Sequence, residues 1–350
     1  MVAARIHEYQ KPLVVESTQK PTAIGGESVL VRVGAAGLCH SDLHLISGEW
    51  KDAIPIQLPK TPGHEIAGWV ENVGDKVPDG LLAEGEPVAV FGGWGCGICV
   101  FCKRGDEQLC TRPRWPGLSP SEGGFAEYIH VPSYRFLVKA GRSKLTPEEM
   151  APLTDAGLTP YRAVKKVSSL LGPGTSIAII GMGGLGLYGV QYARLLAPNS
   201  TVIAIDRNDK KLELAEEMGA EYSVNSRSTK NIRDEVLCLT EDRGVDVIID
   251  TVGAENTVAD SFKIMAKNGA LVIVGLFGSQ VKIPLLQAVV NEQRVYASLW
   301  GNYNELREVI ELAGRRKIRN ASQSFALKEI NLAIDSLKEG KILGRAIIVP

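Results

Sequence analysis

The sequence predicts a mixed architecture, a barrel-like antiparallel β domain followed by an α/β domain with a doubly wound parallel sheet. Three observations carry this. Short apolar runs broken by glycine, proline and acid clusters fill the chain up to about Lys139. From Ser176 onward apolar runs instead alternate with helical sequence. A GxGxxG turn sits where the first of those later runs becomes helical.

In the first part, Val29, Val31 and Val33 alternate around Leu30 and Arg32, and EIAGWVENV, EPVAVF, FAEYIHV and RFLVK follow as further strand candidates. Their number and spacing suggest an antiparallel barrel. At Thr146 the character changes, because Thr-Pro-Glu-Glu is a helix start and the apolar residues after it are periodic. The boundary is placed just beyond Asp155, giving a first domain over 1–156. Strand candidates at 176–181, 201–206, 244–250 and 270–275, separated by helical sequence such as NDKKLELAEEMG, define a second domain over 157–299. RVYASLW at 294–300 is read as a further strand completing a six-stranded sheet. Residues 300–350 read as helix, loop, helix and a terminal strand, RAIIVP, that returns to the first domain.

Within SIAIIGMGGLGLYGVQYARLLAPNSTVIAID, Gly181 allows a tight turn, Gly183 lets the backbone approach a pyrophosphate, and Gly186 lets the helix pack closely on the strand. Asp206 lies twenty residues past Gly186, at the end of TVIAID, where an acid accepts hydrogen bonds from the adenosine ribose. The stretch reads as a dinucleotide site. A bare glycine turn in an α/β protein is the alternative.

Thirty-nine basic and forty acidic residues leave a formal charge of −1, so there is no basic field for nucleic acid or an anionic membrane. No apolar run approaches the roughly twenty residues of a membrane span, and MVAARIHEYQ lacks a signal pattern. A cytoplasmic location is expected.

Four of the six cysteines, Cys96, Cys99, Cys102 and Cys110, form CxxCxxCx7C. Four thiolates on one loop make a closed tetrahedral Zn²⁺ set, which is structural because no position is left open. Lys103, Arg104, Arg112 and Arg114 are too few, beside Asp106 and Glu107, for a phosphate-binding zinc module. Cys39 in GLCHSDLH and His64 in TPGHE are metal-ligand types near strand ends, although taken alone each is more often a buried cysteine or a satisfied histidine.

The order GLCHSDLH, GHE, cysteine quartet, GxGxxG resembles the medium-chain zinc alcohol dehydrogenases over essentially the whole chain. PGHE, GWGCG, APLTDAGLTPYRAV and GRAIIVP are most similar to the microbial NAD-dependent secondary-alcohol dehydrogenases. The resemblance implies a GroES-like catalytic domain beside a Rossmann domain, NAD as cofactor, and two zinc ions per chain, one catalytic and one structural. It makes Cys39 and His64 catalytic zinc ligands and puts the third ligand, often a cysteine, at Asp155. One thiolate, one neutral imidazole and one carboxylate still neutralise Zn²⁺, but a harder oxygen donor implies a more Lewis-acidic, less tightly held ion.

Other roles follow from the same resemblance. Glu65 matches an acid that approaches the metal, and Asp42 a carboxylate that orients the ligand imidazole. Ser41 and His44 match a relay that passes the alcohol proton through the cofactor ribose to solvent. His40 and Arg345 match pyrophosphate contacts, and Lys211 a ribose contact. Arg207 beside Asp206 leaves room for a 2′-phosphate, but the acid repels it, so NAD is favoured over NADP.

Removing hydride from a neutral alcohol builds positive charge on carbon, and a metal that lowers water's pKa from 15.7 to about 7 should lower an alcohol's similarly. By the same resemblance Trp94 and Trp115 match aromatic pocket residues of related archaeal enzymes, and Trp300 lies where the chain leaves the last sheet strand, which makes the three candidates for an apolar substrate pocket over the zinc, between the domains, with plain core burial as the alternative. Apolar walls imply a small alcohol or ketone. Two other functions are weighed: a polyol or sugar dehydrogenase of the same superfamily, and a non-enzymatic dinucleotide-binding zinc scaffold. A homo-oligomer is expected, tetramer over dimer, with exposed sheet edges as one route to pairing. Cys238 is read as a packed thiol in a helix.

Overall fold

The computed structural model describes residues 1–22, 25–141 and 143–350. The chain divides into two compact units, Met1–Leu158 with Gly301–Pro350, and Thr159–Trp300.

The first unit is built on the ten-residue strand Val29–Leu38, which is buried along almost its whole length. Glu65–Val73 pairs along most of one edge, while the other edge is shared by Tyr128–Val131 at Val29–Arg32 and by Arg345–Val349 at Ala36–Leu38. Ten residues are long enough for two strands to share that edge, and the register with Glu65–Val73 shifts twice, between Leu30 and Val31 and between Val33 and Ala35, bulges that bend and coil a sheet. The sheet continues from Glu65–Val73 to Pro87–Val90 and Leu137–Lys139 on one side, and from Arg345–Val349 to Ser322–Ala326 on the other. All pairs are antiparallel except Ser322–Ala326 with Arg345–Val349. Val29, Val31, Val33, Ile66, Val88 and Ile129 form one core. A second core joins Leu38, Leu45, Phe125, Ile330 and Ile348, fixing the C-terminal strand into the first unit.

Register positions the chemistry. Gly37 opposes Glu65 and Leu38 opposes Ala346 across antiparallel pairs, so Cys39, His64 and Arg345 emerge at neighbouring strand ends. Gly37 has no side chain for a physical reason: a Cβ there would come within 2.8 Å of the Glu65 carboxyl carbon.

The second unit is a six-stranded parallel sheet in the order Tyr222–Asn225, Thr201–Asp206, Ser176–Ile180, Val245–Asp250, Met265–Ile273, Arg294–Ala297. The chain winds outward one way from Ser176–Ile180 and then restarts on its other side at Val245–Asp250. That reversal is the switch point at which open α/β sheets bind ligands.

Four expectations change. The sixth parallel strand, Tyr222–Asn225, is absent from the pattern reading because only Val224 of it is buried. Ser322–Ala326, a strand with no fully buried residue, occupies a stretch read as loop. The helix expected from Thr146 is interrupted: Thr146 caps Pro147–Met150 in a capping box, a 3-10 turn covers Ala151–Thr154, and Asp155 leaves helical geometry at φ −141° before Leu158–Val167 resumes. Cys238 lies on the helix Ile232–Leu239 with its side chain exposed, not packed. Its position falls on the face opposite the buried Ile232 and Val236.

Candidate active site

Three segments far apart in sequence converge in the first unit. Cys39 is the N-cap of the helix His40–Ser47, His64 directly precedes the strand Glu65–Val73, and Asp155 occupies the helix break. One ligand atom from each of Cys39, His64, Glu65 and Asp155 lies within 4.8 Å of the others. Asp155 Oδ2 is 3.7 Å from Cys39 Sγ and 3.3 Å from His64 Nε2. The carboxylate reaches Cys39 and His64 from a residue whose backbone has left helical geometry.

The surroundings call for positive charge at the centre of that set. Burial opposes charging His64, but Asp42 and Asp155 on either side of the ring override it and raise its pKa well above the usual histidine value. Burial likewise pushes the Glu65 carboxyl up to about 7 against the pull of Arg345. A thiol, an imidazole and two carboxyls packed together in a buried site are poorly accommodated unless a cation joins them, and these are borderline donors suited to Zn²⁺. The donor set fits zinc.

Asp42 ties together the segments that carry Cys39 and His64. It is fully buried, accepts hydrogen bonds from the amides of Cys39 at 2.9 Å and Gly63 at 3.1 Å, and lies 3.3 Å from His64 Nδ1. With a carboxylate at Nδ1, it is Nε2 that faces Asp155 and could meet a metal. Ser41 Oγ stands 3.7 Å from Cys39 Sγ, and His44 lies one turn further on the same helix. His40, first on that helix, is exposed. Arg345 is buried, donates two hydrogen bonds to Glu65, and approaches Asp155 Oδ2 at 3.7 Å. Sequence reasoning assigned Arg345 to the cofactor alone and missed this contact. The signal was cross-strand register, which a single sequence does not display.

The cysteine quartet is also assembled, with its four sulfurs within 4.8 Å of one another. Backbone amides of Cys96 and Arg112 point at Cys110 Sγ at 3.2 and 3.3 Å. Backbone donors from Cys102 and Thr111 pull the Cys99 thiol down to about 5, while burial pushes Cys102 up to about 12. Such a cluster cannot hold four thiolates without a cation. The Cys99–Cys102 sulfur separation of 3.5 Å is far beyond a disulfide bond. This donor set fits a structural zinc.

In the second unit the glycine turn follows Ser176–Ile180. Gly181 has φ 91°, and a Cβ on it would meet Thr251 Oγ1 at 2.8 Å. Gly183 caps the helix Gly184–Leu196, and a Cβ there would meet nothing within 4 Å. The space in front of that helix N-terminus is therefore open, as a pyrophosphate requires. Asp206 Oδ2 accepts the Met182 amide at 2.6 Å, and Oδ1 accepts those of Arg207 and Asn208 at 2.7 and 3.0 Å. The acid thus braces the turn from the neighbouring strand. Lys211 lies one turn into the helix Asp209–Glu217, half-buried.

The tryptophans separate. Trp94 is buried in the barrel core, stacked on Phe136 with ring centroids 6.0 Å apart. Trp115 packs against the second core of the same unit. Trp300, buried and at φ 43°, ends the second unit.

Residues 25–142 match the family model for the alcohol dehydrogenase GroES-like domain, and 184–315 the model for zinc-binding dehydrogenases. The chain is 38% identical to an NAD-dependent alcohol dehydrogenase of Sulfurisphaera tokodaii, with all of both chains covered. It is 33% identical to an NADP-dependent D-arabinose 1-dehydrogenase of Saccharolobus solfataricus over 99% of this chain and 97% of the relative. Among solved structures, an alcohol dehydrogenase of the archaeon Aeropyrum pernix is similar over 100% of both chains, with a TM-score of 0.94 and 40% identity.

Proposed function

The chain belongs to the zinc-binding, GroES-like alcohol dehydrogenase family, and from that premise we propose the division of labour among its own residues in interconverting alcohols with aldehydes or ketones. One observation carries the assignment: Cys39, His64 and Asp155, spread over more than a hundred residues, offer their ligand atoms to one point, with Glu65 beside them. When bound, zinc supplies the acidity that makes an alcohol's proton removable at neutral pH, and NAD supplies the hydride acceptor.

Cys39, His64 and Asp155 are the residues that hold the catalytic ion, and Asp42 fixes the imidazole among them. Arg345 holds the Glu65 carboxyl by two hydrogen bonds beside the set, so Glu65 is shared between the guanidinium and the site. Ser41, nearest the cluster, takes the alcohol proton first, and His44 delivers it outward. The quartet of Cys96, Cys99, Cys102 and Cys110 holds a second zinc that stabilises its loop. Gly183 and the helix behind it bind the pyrophosphate, and Asp206 accepts the ribose hydroxyls, favouring NAD over NADP. His40 and Lys211 remain candidates for further cofactor contacts, and Trp115 and Trp300 for substrate contacts.

A secondary or primary alcohol of modest size is the favoured substrate, with a sugar or polyol as the second reading because a D-arabinose dehydrogenase is also a relative. A non-enzymatic scaffold does not account for the ligand set and relay together. Metal content per chain, measured with the rise in NADH absorbance on 2-butanol, cyclohexanol, sorbitol and D-arabinose, tests the assignment. Two zinc ions and turnover of the simple alcohols are expected; sugar turnover alone would move the substrate class, and NADH binding without oxidation would leave the scaffold.

Self-association is proposed on the exposed apolar surface of Leu285, Leu286, Val289 and Val290 next to the edge strand Arg294–Ala297. A free edge beside so much apolar surface is normally covered, and a second copy across a two-fold axis covers both at once. No helix among the described residues is long and apolar enough to cross a membrane. A cytoplasmic location suits the five unpaired cysteines committed to metal-ligand sets.

A further inference from the structure

Helix His40–Ser47 ends on Gly48, left-handed at φ 76°, and the amides of Gly48 and Glu49 both return to the carbonyl of His44. This αL cap turns the chain back over the last helical turn. Glu49 is thereby delivered to the histidine, with Oε2 2.6 Å from His44 Nδ1. The indole of Trp50 then stacks on the imidazole, centroids 4.8 Å apart and planes within 16°. One nitrogen and one face of the ring are held, while Nε2 makes no hydrogen bond among the described residues.

We infer that Glu49 is a positioning residue for proton exit, holding His44 as the Nδ1–H tautomer so that Nε2 is the atom that takes up the proton. The inference rests on the reading of His44 as the outer member of the relay. A neutral imidazole that donates from Nδ1 to a carboxylate has its lone pair on Nε2. The alcohol proton arriving there gives an imidazolium with N–H at both nitrogens, water removes the proton from Nε2, and the ring returns to its starting tautomer. No electrons move in this sequence. The C-terminal turn of the helix also favours the transient positive charge.

Glu49 is the charged group within hydrogen-bonding reach of the ring. His40 lies one turn earlier on the same helix, Lys51 and Asp52 follow Trp50, and Tyr9 is the titratable side chain of the N-terminal segment packed against Gly48. Because Glu49 is 52% exposed, its influence is that of an oriented surface carboxylate, well short of a buried one.

The test compares wild type, Glu49→Ala, Glu49→Gln and His44→Gln as full-length, zinc-loaded protein. Ring ¹⁵N chemical shifts report the His44 tautomer independently of turnover, and kcat and KM for a secondary alcohol are followed against pH. We expect wild type to be Nδ1–H, Glu49→Ala to shift towards Nε2–H, and kcat near neutral pH to fall about three- to tenfold with KM unchanged, a change of roughly 0.7 to 1.4 kcal/mol. Glu49→Gln should retain the hydrogen bond and recover part of the loss. An unchanged tautomer in Glu49→Ala overturns the inference. So does a pH profile that moves in His44→Gln but not in Glu49→Ala, which leaves the relay standing; a profile unmoved in both removes His44 from the relay as well.

Discussion

Arg345 Nε donates to Glu65 Oε2 at 2.9 Å, and the guanidinium makes a second bond to the other carboxylate oxygen, with both side chains almost wholly buried. The two residues stand 280 positions apart and meet because their strands flank Val29–Leu38 on opposite edges. A fork of this kind beside Cys39, His64 and Asp155 holds the Glu65 carboxyl, and losing either partner leaves the other buried and unpaired.

Arg345→Met should therefore lower the unfolding free energy by about 3 kcal/mol, since it strands a buried carboxylate. Adding Glu65→Gln should restore a substantial part. Chemical denaturation of the two single variants and the double variant measures the coupling, and strict additivity would mean the pair is not energetically linked.

If Asp155 is the third ligand as proposed, Asp155→Asn removes one of the charges that would balance the catalytic ion. Elemental analysis should show loss of about one zinc per chain, turnover should fall at least about a hundredfold, and the cysteine quartet should keep its metal. Full zinc and full turnover in this variant would dismiss Asp155 as a ligand.

The carboxylate of Asp206 supports the glycine turn through the Met182 amide, and by its charge it would repel a 2′-phosphate. In Asp206→Gly the ratio of kcat/KM for NADP over NAD should rise by at least about tenfold, or 1.4 kcal/mol. Part of the NAD-linked activity should also be lost, because the brace goes with the charge.

Lys60 is 1% exposed, its Nζ donates to the carbonyl of Ser121, and burial lowers its pKa from 10.5 to about 8. The folded chain thus releases this proton earlier than the unfolded chain. Between pH 8 and 10.5 the unfolded state holds more protons, so this group's contribution to stability rises with pH, by up to about 3 kcal/mol. Below pH 8 the full penalty of a buried charge is present. The difference in denaturation midpoint between wild type and Lys60→Met should shrink as pH rises through that window; a constant difference would separate Lys60 from the effect.

Leu286→Asp and Val290→Asp introduce charge into the apolar surface beside the edge strand. Size-exclusion chromatography with light scattering should show smaller species than wild type at equal concentration. A monomeric wild type, or variants of unchanged mass, would assign that surface another role.

The α/β unit was legible because a buried parallel strand is a nearly unbroken apolar run, as Ser176–Ile180 is, and because its glycines have separable steric duties. Tyr222–Asn225 and Ser322–Ala326 escaped notice for the converse reason, since edge strands with exposed side chains carry no apolar signature. The cysteine quartet was legible because its ligands share one loop. The dispersed set was not: Cys39, His64 and Asp155 taken from sequence are three ordinary residues, and it was resemblance that joined them.

By itself, then, the sequence determined what is local: turn chemistry, strand and helix periods, the closed four-cysteine loop and the acid at the end of the second parallel strand. Those features depend on neighbours within a few turns, where spacing along the chain is spacing in the molecule. Tertiary structure decided what depends on register and on broken regularity. It set Glu65 against Arg345, placed Asp155 at a helix break facing Cys39 and His64, put Trp94 into the barrel core, and laid Glu49 on His44. Each of these follows from side chains meeting across elements, and pairing across a sheet or a helix end is specified by the packing of the whole unit.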